Sequence, residues 1–188
     1  MSISPVALAE AKAHLRVTHE EDDAIITQYN DAAASFVETL ADRVFTDRSI
    51  TAMCATFPPM TGPIALSYSP VQTIDQILYY DPDGVQQTLD LADVSLVPNE
   101  VGLSWIVLQP DATWPTTQVR PDAITITYTA GYGGDVNVPP EAKQAILLCL
   151  THYYDQRTTV VVGTSAQQLE FTVTNLTESL SPGTYIDT

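Results

Sequence analysis

Apolar residues recur at helical spacing from the first turn of the chain. Ser4 followed by Pro5 suits an N-cap and first helical position, and Leu8, Ala11 and Leu15 then predict a short helix. Thr18-x-x-Glu21 reads as a capping box, with Asp22 and Asp23 where a helix dipole favours negative charge. Behind it, Ile25, Tyr29, Ala33, Phe36 and Leu40 predict one face of a long second helix, widened by Ile26 and Val37 and ending near Asp42 or Arg43. From about Ser49 the period changes to two. SITAMCATF, IALSY, TIDQILYY, VQQTLDL, SWIVLQ and AITITYT are the strand candidates, separated by turns rich in Pro, Gly and Asp. DPDG at 81–84 predicts a hairpin turn with Gly84 in the left-handed position, and GYGG at 131–134 reads as a flexible exit from the last strand.

A third helix follows, in VPPEAKQAILLCLTHYYDQR. Pro139 and Pro140 suit its first turn, Glu141 complements its positive end, and Arg157 sits near its negative end. Ala142, Ala145, Ile146, Cys149, Leu150 and Tyr153 form a broad apolar face that Leu147 and Leu148 extend, so the helix is covered on most sides. After Thr158 the chain turns to Thr, Val and small polar residues, then to LEFTVT with strand-like alternation and a Ser, Pro and Gly-rich end. Such a tail buries little by itself and gains order as an edge strand or on a partner.

The predicted class is α+β: a small helical bundle of two N-terminal helices and a helix near 139–157, an inserted antiparallel β-rich region, and an extended C-terminal tail. The expected divisions are 1–48, 49–135, 136–158 and 159–188. A chain of 188 residues with 45% apolar and 16% charged residues can bury a real core.

Charge narrows the function. Against 23 acidic residues stand 7 Lys and Arg, a formal net charge of −16, and no basic residue lies between Arg48 and Arg120. Binding to phosphates needs clustered cations, so nucleic-acid binding of that kind is excluded; acidity serves solubility, or a surface that DNA passes without adhering. Cys54 and Cys149 match no metal-ligand spacing and read as reduced, buried small hydrophobes of a cytoplasmic protein. The start MSISPVALAEAKAHL lacks the basic and apolar regions of a signal peptide, and the longest apolar run, AILLCL, is too short to span a bilayer.

The candidate chemistry is sparse. His152 and Asp155 fall at i and i+3 on one helix, but no G-x-S-x-G and no other nucleophile accompanies them, so a small hydrolase centred there is not expected. His14 and His19 lack ligand partners and read as surface residues. In DPDG, aligning Gly84 with the glycine of a calcium loop puts Tyr79 where the first acidic ligand belongs. Tyr79, Tyr80, Tyr128, Tyr132, Tyr153 and Tyr154 have no interleaved basic residues and read as packing rather than a stacking platform for bases. Trp105 and Trp114 leave open a β-rich module for a carbohydrate or peptide. No catalytic residue, cofactor or metal is expected.

Four stretches taken together carry a resemblance: LAEAKAHLRVTHEEDDAIITQYNDAAASFVE, SPVQTIDQILYYDPDG, ITYTAGYGG and VPPEAKQAILLCLTHYYDQR. In this order, over about residues 7–160, they resemble the head-tail connector, or adaptor, family of long-tailed bacteriophages and related gene-transfer particles, in its branch with a β-rich insertion. Tyr153, Tyr154 and Arg157 match an aromatic-then-Arg feature of that family. Family members often finish with Leu-Leu-x-x-Tyr-Arg, whereas SLSPGTYIDT keeps Tyr185 and lacks the arginine.

The resemblance implies a non-enzymatic structural protein of the virion neck, assembled in the host cytoplasm. It implies a homo-oligomeric ring, a dodecamer in the particle, between the portal protein and a stopper or tail-terminator protein. Double-stranded DNA passes through the ring without sequence-specific binding, and no membrane is involved. Leu147, Leu148, Tyr154 and Arg157 are then the candidates for subunit contacts. Leu169, Phe171, Val173, Tyr185 and Ile186 are the candidates for docking on the portal.

Overall fold

The computed structural model describes residues 4–99, 102–156, 173–177 and 180. Contacts divide the described residues into two units: a helical one, residues 4–46, 132–156, 173–177 and 180, and a β one, residues 47–99 and 102–131. The chain leaves the helical unit once and returns once. The class is α+β, as the change of period from helix to strand and back implies.

The helical unit is built from α1 (Leu8–Leu15), α2 (Asp23–Ala41) and α3 (Pro140–Asp155). Its core gathers Ala11 of α1, Ile26, Ala33, Ala34, Val37 and Ala41 of α2, and Ala142, Ala145, Ile146, Leu147, Cys149 and Leu150 of α3. Alanine at so many of these positions lets helices approach closely. A buried polar group ties the start of the chain to α2: the Asn30 amide donates to the Val6 carbonyl at 2.7 Å and accepts from the Ser4 hydroxyl at 3.0 Å.

Two predicted caps are corrected. Ser4 does not cap α1, which starts after Ala7; its hydroxyl instead accepts from the Val6 N–H at 3.1 Å and donates to Asn30. The Thr18/Glu21 box does not form either, because α2 starts later, after Asp22, and has no side-chain cap. The predicted face of α2 is borne out in part: Ile26, Ala33 and Val37 are buried, but Ile25, Tyr29, Phe36 and Leu40 are not. Phe36 and Leu40 are each 38% exposed, and the buried face is Ile26, Asn30, Ala33, Ala34, Val37, Glu38 and Ala41. The sequence carries two adjacent apolar stripes one residue apart, about 100° around the helix, and packing buried the one with smaller side chains.

In the β unit, β1 (Arg48–Cys54), β7 (Ile124–Ala130), β3 (Val71–Tyr80) and β4 (Gln86–Thr88) form a sheet in the order β1-β7-β3-β4, with every pair antiparallel. β7 is central and alternates cleanly: Ile124, Ile126, Tyr128 and Ala130 are buried, their neighbours half-buried. A second sheet takes β2 (Ile64–Leu66), β6 (Ser104–Leu108) and β5 (Val94–Val97) in the order β2-β6-β5. The predicted strand VQQTLDL shortens to β4, since Asp90 accepts from the Ala92 N–H and starts a 3-10 turn at Leu91–Asp93. β5 was not anticipated.

DPDG turns as predicted between β3 and β4. Gly84 has φ 81°, its N–H donates to the Asp81 carbonyl at 2.9 Å, and the Asp81 carboxylate accepts from the N–H groups of Asp83 and Val85. GYGG is not simply a flexible exit. Gly131 has φ 139°, and a Cβ there would stand 2.7 Å from the Cα of Asp47. The glycine is required where the outgoing and returning strands of chain meet.

Of LEFTVT only Val173 and Thr174 are described, and for these two the strand reading is corrected; the rest lies outside the described residues. Residues 173–177 are helical, not a strand. Val173 and Thr177 are fully buried and Leu180 nearly so, with both apolar side chains in the core of the helical unit. Valine and threonine favour strands locally, but a place in an existing core outweighs that preference.

Candidate functional site

No catalytic constellation is assembled among the described residues. His152 and Asp155 lie in the last turn of α3, and His152 meets the Tyr153 ring with centroids 6.3 Å apart. No hydrogen bond joins His152 to Asp155 among the described residues. No cluster of His, Cys, Asp and Glu among those residues could hold a metal ion, and no described helix is long and apolar enough to cross a membrane. His14 and His19 are exposed. Both cysteines are free; burial pushes the Cys149 thiol up to about 11, far from a reactive thiolate.

The tyrosines do pack. Tyr128 is buried, its hydroxyl donates to the Ser67 carbonyl, and burial raises its pKa to about 12. Tyr153 meets Tyr29 at 6.4 Å between centroids, and Tyr132 meets Phe45 at 6.3 Å. Trp114 is a packing residue too: its ring stacks on Phe57 at 4.8 Å and its N–H donates to the Gly62 carbonyl at 3.0 Å. Trp105 is half-buried and lines, with Pro63, Val97 and Val107, a shallow cavity of about 210 Å³. A larger groove of about 570 Å³ is lined by Ala55, Thr56, Thr117, Gln118, Val119, Arg120 and Pro121. Its one cation is engaged: Arg120 grips Asp122 through two hydrogen bonds of 2.7 and 2.6 Å and lies 4.0 Å over the Tyr80 ring.

Among the residues read from sequence for subunit contacts, Leu147 is buried in its own core and Leu148 is half-buried. Tyr154 is half-buried and donates from its hydroxyl to the Asp22 carboxylate at 2.6 Å, joining the end of α3 to the start of α2. Arg157 lies outside the described residues, as do Leu169, Phe171, Tyr185 and Ile186 of the portal set. Val173 is buried in the protomer's own core. Sequence reasoning missed the outer face of α2. Phe36 and Leu40 are the exposed large apolar side chains of the helical unit among the described residues, and the signal was the second stripe already noted.

Comparison with known proteins supplies the context for these surfaces. Residues 5–89 match the family of phage gp6-like head-tail connector proteins. No curated protein sequence matches the chain significantly. Among solved structures, a chain from the neck of an empty gene transfer agent particle, computed with C6 symmetry, is 21% identical. It matches over 100% of this chain and 96% of its own length, with a TM-score of 0.78. A chain from the neck of the native particle, computed with C12 symmetry, is 22% identical, with coverages of 100% and 96% and a TM-score of 0.76. A third, from the virion of the native particle, is 23% identical, with coverages of 98% and 93% and a TM-score of 0.75. At such identities the likeness to these structures is one of fold, and it extends across both units. The four-motif resemblance is borne out by the likeness of residues 5–89 to the phage gp6-like head-tail connector family.

Proposed function

We propose that the protein is a non-enzymatic adaptor of a virion neck. Its copies close into a ring, twelvefold in the particle, that joins the portal to a stopper or tail-terminator protein and lets double-stranded DNA pass. The observation that carries this reading is the shared fold over the full chain and over 96% of a neck chain from a particle resolved with C12 symmetry. Two properties of the molecule support it. A net charge of −16 repels phosphates, so a duplex slides through an acidic channel without the salt-dependent attachment of a basic wall. The described residues also hold surfaces suited to assembly and no assembled reaction centre.

Contact with the portal is assigned to the C-terminal residues Leu169, Phe171, Tyr185 and Ile186. Removing residues 183–188, which spares the buried Val173 and Leu180, should leave a folded protomer that portal protein no longer captures. Undiminished capture would remove Tyr185 and Ile186 from the portal contact.

The reading as a whole is tested by electron microscopy of purified particles carrying this chain with a labelled N-terminal tag. Label at one vertex, between head and tail, is expected. Label spread over the shell, at the tail tip, or absent from particles would overturn the assignment.

A further inference from the structure

We infer that the outward face of α2 is a contact between neighbouring copies of this chain, an inference that rests on the ring reading above. Three observations point there. First, Ile25, Tyr29, Ala32, Phe36 and Leu40 form a continuous stripe beside the buried face, with Ile25 and Tyr29 half-buried and the other three exposed. Second, the exposed residues between positions 24 and 41 are Ala24, Gln28, Ala32, Ser35, Phe36, Thr39 and Leu40, and none is ionisable. The carboxylates of this stretch are turned to other uses: Asp31 accepts from the Ser4 N–H, and buried Glu38 accepts from the Phe45 N–H at 2.7 Å. Third, the face is easily desolvated. Its Thr39 hydroxyl already donates to the Ser35 carbonyl at 2.9 Å, and Ala32, Ser35 and Thr39 are small enough to admit another element closely.

The charge identifies the occupant. Two copies bring −16 each, so a contact made through ordinary surface would press carboxylates together, and in a partly desolvated interface that repulsion is no longer screened. An uncharged face is where like copies meet at least electrostatic cost. A basic partner would instead be read by a face that displays carboxylates, and DNA by one that displays cations. Closing a ring also requires the two sides of the contact to differ, so Phe36 of one copy meets a surface other than α2 on the next.

The test is photo-crosslinking in particles from cells whose copy of this chain carries p-benzoylphenylalanine at position 36, a side chain close in shape to the native one. The expected result is an adduct of two copies of this chain, with the linked peptide outside residues 24–41. A linkage between two α2 segments would indicate a twofold contact that cannot close a ring, and would overturn the inference. An adduct to a different protein, or no adduct from chains that are present in the neck, would overturn it too while leaving the ring reading intact. Absence of the unsubstituted chain from particles would remove the ring reading itself. The double variant Phe36→Asp, Leu40→Asp supplies an independent measurement: it should melt close to the unsubstituted protein and be lost from the neck. Normal incorporation of this variant would also overturn the inference.

Discussion

At position 131 a side chain has no room. Gly131 combines φ 139° with an approach that would bring a Cβ within 2.7 Å of the Asp47 Cα and 2.8 Å of its N. Both obstacles are backbone, which cannot rotate away. Gly131→Ala should therefore cost about 1–3 kcal/mol, seen as a lower denaturant midpoint at unchanged slope. Asp81 carries a different liability. Its carboxylate lies below the usual range, held there first by the Gln87 amide and then by the Val85 N–H, against a smaller desolvation effect. Because folding lowers this pKa, the carboxylate's contribution is complete above the unfolded value and lost as pH falls through the folded one. Amide exchange at Asp83 and Val85 should accelerate below the ordinary carboxylate range. Asp81→Asn, which keeps an acceptor without the titration, should flatten that dependence.

At the scale of elements, α3 meets the expectation of a helix covered on most sides, and this bears on its candidate contacts. Leu147 is 7% exposed within the core it shares with α2, so a carboxylate there would lose its water without gaining a partner. Leu147→Asp should destabilise the protomer by roughly 3 kcal/mol or more, and Leu148→Asp, at a half-buried site, by clearly less. Urea unfolding of the two variants measures the difference. Equal, small losses would mean that position 147 is not internal. The segment 173–177 shows how context acts on an element: Val173 and Thr174 end a stretch with strand-like alternation, yet they open a helical turn in which Val173 and Thr177 are buried.

For the whole molecule, charge and assembly pull against each other. Copies of −16 repel, and the α2 side of the contact proposed between them exposes no ionisable side chain for an ion pair that salt could weaken. Rings should therefore strengthen with added salt, as the screening length falls from about 30 Å at 0.01 M to about 8 Å at 0.15 M. Sedimentation across that range checks this directly. Rings that loosen with salt would show that oppositely charged pairs hold them.

The turn at DPDG, the alternation of β7 and the extent of α3 could all be read from residues alone, because each depends on neighbours within a few positions: a left-handed glycine, a period of two, prolines at a first turn. The resemblance to the connector family was readable for the same reason, as an ordered set of local motifs. Burial is a relation between distant segments, and periodicity does not contain it. So the choice between the two apolar stripes of α2, the use of Ser4 to hold Asn30 rather than to cap α1, and the enclosure of Val173 were settled only when α1, α2, α3 and residues 173–177 packed together. That packing left Phe36 and Leu40 outside, which is why the surface proposed for ring assembly is visible in the fold and not in the pattern that predicted the helix.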